Sequence, residues 1–100
     1  MNDYILFMHD DVPAGSRRPS HEWPTYFAKL RQAGAFQGGS SIGGGTCVRK
    51  GSAAPAIAGH IGGYFRIRAV DLEAARALVA GNPVYEGGGT VEIRELPRDG

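Results

Sequence analysis

The chain has 100 residues, with 11 Lys plus Arg against 10 Asp plus Glu and a formal net charge of +1 at pH 7. That length bounds it to a single domain over residues 1–100, since domains cluster at roughly 100–150 residues. The near-balance of charge lacks the basic footprint of a nucleic-acid binder, and no apolar run approaches the roughly 20 residues of a bilayer span. Hydrophobic residues make up 42% of the chain, enough for a packed core. The lone Cys47 rules out an internal disulfide and any cysteine-built zinc site. The acidic start Met1-Asn2-Asp3 is unlike a signal peptide, so a cytoplasmic location is expected.

Glycine is over-represented, with 16 in 100 residues. The glycines cluster at 38–39, 43–45, 62–63 and 87–89, each group beside an apolar stretch, as turns, bulges and close backbone approaches require.

Tyr4-Ile5-Leu6-Phe7-Met8 is apolar at every position and predicts a first strand, ended by His9-Asp10-Asp11. Residues 10–19 read as a loop. Ser20 to Gly34 carries helical punctuation: Ser20 or Trp23 as the cap, Pro24 in the first turn and Gly34 at the left-handed end position. Trp23, Phe27 and Leu30 fall on one helical face. Residues 35–50 predict a second strand interrupted by a bulge, with Thr46-Cys47-Val48 inside it. After a loop over 51–59, His60 to Val70 alternates, with Ile61, Phe65 and Ile67 on one side and His60, Tyr64, Arg66 and Arg68 on the other. Asp71 caps a second helix whose buried stripe is Leu72, Ala75, Leu78 and Val79; Gly81 ends it and Pro83 bars its resumption. Thr90 to Leu96 alternates as the last strand, with Val91 and Ile93 inward.

The order strand, helix, strand, strand, helix, strand is the ferredoxin-like βαββαβ pattern, an α+β fold with an antiparallel sheet and two helices on one face. The expected core side is Ile5, Phe7, Phe65, Ile67, Val91 and Ile93. Tyr4, Leu6, Met8, Tyr64 and Leu96 are expected on the opposite face, an apolar patch that points to a homodimer packed sheet on sheet.

The segments Tyr4-Ile5-Leu6-Phe7-Met8-His9-Asp10, Lys29 to Phe36 followed by Gly38-Gly39, Gly62-Gly63-Tyr64-Phe65, and Gly81-Asn82-Pro83-Val84-Tyr85-Glu86 through Arg94 together resemble the YCII-related (DGPF-domain) family. The resemblance implies a dimeric α/β barrel built from two ferredoxin-like protomers. Two departures stand out. Gly51-Ser52-Ala53-Ala54 replaces the Asp-Gly-Pro-Phe motif, and Trp23 and Asn82 occupy the positions of the His and Asp proposed to act in the YciI branch. That His/Asp chemistry is therefore not carried over.

The candidate acid/base groups are His9, Asp10 and His60. A nearby carboxylate keeps an imidazole close to its working pH, although a solvated strand end accounts for the same residues. If the first and third strands are neighbours, His9 and His60 approach one cleft. Trp23, Tyr26, Tyr64 and Asn82 are the candidate ligand-binding residues, with Trp23 and Tyr26 walling the cleft mouth and His9 and Asn82 supplying hydrogen bonds to a small planar or anionic molecule. Docking of the helix on the sheet is the favoured explanation of the aromatics, with Tyr26 the least committed to it. His21 is read as a surface residue at a helix start. No cofactor and no metal site is expected, because the histidines lack ligand spacing, and no phosphate loop or nucleophile elbow occurs. Cys47 has no activating partner. Three functions remain open: a small-molecule binding or sensing domain, a cofactor-independent enzyme using His9 or His60, and an accessory interaction domain.

Overall fold

Strand β1 (Asn2–His9) lies between β3 (Ile61–Ala69) and β4 (Val91–Leu96), and β2 (Phe36–Ser41) pairs with the far side of β3. The order β2-β3-β1-β4 and its antiparallel pairings form the ferredoxin-like sheet that the element order predicts. The computed structural model describes residues 1–98. Helices α1 (Glu22–Gln32), α2 (Leu72–Ala77) and the short α3 (Pro83–Glu86) complete the chain. The fold class is α+β.

Register decides which side of β1 is buried. Leu6 stands opposite Phe65 and Ile93, Tyr4 opposite Ile67, and Met8 opposite Gly63 and Val91. Residues opposite each other share a face, so Tyr4, Leu6 and Met8 join Phe65 and Ile67 in the core. The expected sides of β1 are thus exchanged: Ile5 and Phe7 lie half-buried on the open face with Tyr64 and Leu96. An all-apolar strand holds two equivalent sets of alternate residues, and only its neighbours choose between them.

Helix α1 covers the core face. Its Tyr26 and Phe27 rings meet Phe65 at 5.8 and 5.7 Å, edge to face. Burial of side chains such as Leu6, Leu30, Phe65 and Ile67 stabilises the fold by about 1.5–3 kcal/mol each. At the helix start the residue in the cap position is His21, with no side-chain cap, in place of Ser20 or Trp23. At its end Gly34 adopts φ +70°, as its position predicts, and the Ala35 N–H donates to the Leu30 carbonyl at 3.0 Å.

The Asp71 carboxylate accepts from the Ala74 N–H at 2.8 Å and caps α2. Leu72 departs from the expected stripe, being 50% exposed, while Ala75 and Val79 are buried. Pro83 opens a helix rather than barring one: it is the first residue of α3, where its missing N–H costs nothing. The second strand stops at Ser41. Cys47 and Val48 lie in the long glycine-rich connection to β3, and Val48 is 91% exposed. Gly43-Gly44-Gly45 loses too much backbone entropy to extend the ladder.

Candidate functional site: a cleft at the end of the first strand

The end of β1, the first turns of α1 and the facing ends of β2 and β3 surround a cleft of about 730 Å³. Its floor is apolar and aromatic. Trp23 stacks on Phe27 at 5.4 Å, Phe27 meets Phe36 at 4.9 Å, and Met8 completes the surface from β1. The floor exists because α1 presents Trp23 and Phe27 four residues apart, on one side of the helix. Backbone rather than side chains forms much of the wall at Gly38, Gly39, Gly62 and Gly63. A Cβ at Gly39 would fall 2.5 Å from both the Tyr64 carbonyl oxygen and the Phe65 Cβ. Only glycine lets β2 approach β3 there.

The mouth is charged. Arg17, Arg18 and Asp10 border it, and Arg31 lies with its guanidinium 4.9 Å above the Phe36 ring. Arg18 is tied to Glu22 by two hydrogen bonds of 3.0 and 2.8 Å, which raise the arginine pKa and lower that of the glutamate. Arg17 has no ion-pair partner among the described residues.

His9 closes β1 and also borders the cleft. Its Nε2 lies 2.8 Å from Glu92 Oε1, and the His9 and His60 rings meet edge to face at 4.9 Å. The hydrogen bond from His9 holds the Glu92 carboxyl below its ordinary range, helped by Arg94 at 3.2 Å. Next along the chain, Asp11 accepts from the Thr90 N–H at 2.8 Å and the Thr90 hydroxyl at 2.6 Å, which lowers its pKa. Backbone bonds from His9 N–H to the Thr90 carbonyl and from Asp10 N–H to the His60 carbonyl fasten this corner. Among the described residues no group of three His, Cys, Asp or Glu is arranged to hold a metal ion, and no helix is long and apolar enough to cross a membrane.

The expected site residues therefore divide. His9, Asp10, Trp23 and Tyr64 border the cleft, and His60 stands against His9. Tyr26 and Asn82 do not border it. The Tyr26 hydroxyl donates to the Leu78 carbonyl at 2.7 Å, and burial pushes its pKa up to about 12. Asn82 is fully buried: its Oδ1 accepts from the Val84 and Tyr85 N–H groups at 2.9 and 3.1 Å, capping α3. An Asn before Pro at a helix start is positioned for that capping role, and a fully buried amide cannot meet a ligand in the cleft. Arg17, Phe36 and Glu92 were not singled out as site residues by the sequence. The pairing of Glu92 with His9 follows from the antiparallel β1–β4 ladder, which sets two residues 83 apart side by side.

A four-stranded antiparallel sheet in the order β2-β3-β1-β4, with an aromatic cleft between its first helix and one end of the sheet, defines a ferredoxin-like α+β fold. The same fold occurs in 5-chloro-2-hydroxyhydroquinone dehydrochlorinase (TftG) from Burkholderia phenoliruptrix AC1100, solved in complex with 2,5-dihydroxybenzoquinone. The two superpose with a TM-score of 0.59 at 14% identity, over 95% of this chain and 93% of that chain. No protein-family model and no curated protein matches the sequence.

Proposed function

We propose that this protein is a small-molecule binding domain whose ligand is a planar anion held in the cleft at the end of β1. The observation that carries this reading is the composition of the cleft: a stacked aromatic floor of Trp23, Phe27 and Phe36 beneath a mouth where Arg17 has no ion pair among the described residues. A flat ring gains from stacking on such a floor, and a guanidinium at its edge favours an anionic substituent. The volume falls within the range of roughly 300–1,000 Å³ usual for ligand sites. A quinone bound to a protein of the same fold supports a ligand of this shape.

The same reading places the chain in the YCII-related group and pairs it with a second copy through the open sheet face. That face carries Ile5, Phe7, Tyr64 and Leu96, all half-buried in one chain. It also assigns the protein to the cytoplasm, where Cys47 remains a free thiol.

The test is a thermal-shift and calorimetric titration with 2,5-dihydroxybenzoquinone and simple aromatic carboxylates. A ligand at a hundredfold excess over Kd stabilises the folded state by about 2.7 kcal/mol. Trp23→Ala and Arg17→Ala are expected to lose most of that shift. Full retention by Trp23→Ala would place the ligand outside the cleft and overturn the reading.

A further inference from the structure

We infer that His9 is the proton acceptor of this cleft, acting through Nδ1, and that the ligand is a hydroxylated ring bound as its conjugate base. The inference rests on the cleft reading above and adds the chemistry at its mouth.

The argument starts from the imidazole. A carboxylate can only accept, so the 2.8 Å contact with Glu92 places a hydrogen on His9 Nε2 and leaves the lone pair on Nδ1 in the neutral ring. Nδ1 has no hydrogen-bond partner among the described residues. The His9 side chain is 20% exposed, and the residue borders the cleft. The side chain is partly exposed, and the bond to Glu92 orients it.

Glu92 faces the ring from β4 and is held ionised by Arg94 on its other oxygen. Asp10 and Asp11 follow His9 in the chain, with Asp11 held ionised by Thr90. His60 faces the ring from the turn before β3 and would oppose a second positive charge. Glu92 and Asp11 therefore stand near His9, and the Arg94 guanidinium is already engaged by Glu92.

The proton comes from the ligand. Its O–H bond breaks, an N–H bond forms at Nδ1, the electron pair stays on the oxygen, and the net charge of the complex is unchanged. An aliphatic alcohol is too weak an acid for a neutral imidazole to deprotonate; a phenol or a conjugated enol is not. The aromatic floor selects the same class, and Arg17 at the mouth is placed to meet the oxyanion. Glu92 acts as a positioning residue, fixing the tautomer and stabilising the charged ring.

The probe is 4-nitrophenol, whose phenolate has its own visible band, used below the pKa of the free phenol. Binding is read separately from quenching of Trp23, the sole tryptophan, which lies in the floor. The wild type is expected to quench and to raise the phenolate band. His9→Gln is expected to quench while the bound phenolate fraction falls about tenfold, the change that one pKa unit of differential interaction produces. Glu92→Gln retains the side-chain shape, removes the charge and should lower the band in the same direction. Quenching without a phenolate band in the wild type, or a band unchanged in both variants, overturns this inference and leaves the cleft reading standing. Absence of quenching in the wild type overturns both.

Discussion

The Tyr26 hydroxyl is withdrawn from water and donates to the Leu78 carbonyl, joining α1 to the end of α2. Burial raises its pKa from 10 to about 12, so the folded state resists forming the tyrosinate. The sign follows from linkage. The raised folded value means that this contribution is whole below pH 10 and is lost as pH rises from 10 toward 12. About 2 kcal/mol of stability is expected to disappear over that window. Tyr26→Phe should cost about 1 kcal/mol at neutral pH through the lost hydrogen bond, and should remove that alkaline decline in urea melts. A decline identical to wild type would show that another group causes it. Glu92 and Asp11 behave oppositely. Their carboxyls are lowered by His9 and Thr90, so their contribution is present above the ordinary carboxylate range and fades as pH falls through the depressed values.

Among the elements, α3 is the shortest and depends most on one side chain. Asn82 satisfies two N–H groups of a four-residue helix that cannot nucleate alone. Asn82→Ala removes both bonds and leaves a buried void, and should destabilise by about 2–3 kcal/mol in chemical denaturation. Once the variant is saturated with a cleft ligand below its melting point, affinity should stay within about threefold of wild type, because Asn82 contributes nothing to the cleft surface. A large loss of affinity would return Asn82 to the ligand. The β2–β3 pairing has a similar single dependency. Gly39→Ala drives a methyl into backbone at 2.5 Å, so β2 must shift. A loss of at least about 2 kcal/mol is expected, and an unchanged midpoint would contradict the close approach.

At the scale of the whole molecule, charge is segregated along the chain. From Trp23 to Val70 there is no carboxylate, while Lys29, Arg31, Arg49, Lys50, Arg66 and Arg68 are all basic. The acidic residues belong to the first 22 positions and to the last 30. In the sheet, β3 carries Arg66 and Arg68, β2 is uncharged, and β4 carries Glu92, Arg94 and Glu95. Light scattering should give a mass of twice 10.6 kDa at micromolar concentration. Phe7→Glu, which places a carboxylate beside Glu92 on that face, should shift the equilibrium toward the monomer, because an unpaired buried charge costs several kcal/mol. A wild-type mass of 10.6 kDa would sink the sheet-to-sheet dimer.

The element order, the Gly34 helix end, the Asp71 cap and the inward Phe65 and Ile67 were legible in the sequence, because each depends on residues within a turn or two of one another. His9, Asp10 and Trp23 were legible as cleft residues for a related reason: they mark the end of a strand and the start of a helix. Tertiary structure decided the rest. The buried side of β1 depended on its partners, since Tyr4, Leu6 and Met8 are as apolar in sequence as Ile5 and Phe7. Tyr26 was withdrawn from the cleft by a partner 52 residues away, at Leu78, while Asn82 was turned inward to cap α3. The Glu92 carboxylate reached His9 only because two distant strands pair in one register. Local preferences act through neighbouring backbone atoms, whereas a face, a burial or an ion pair between strands is set by where the whole chain returns on itself.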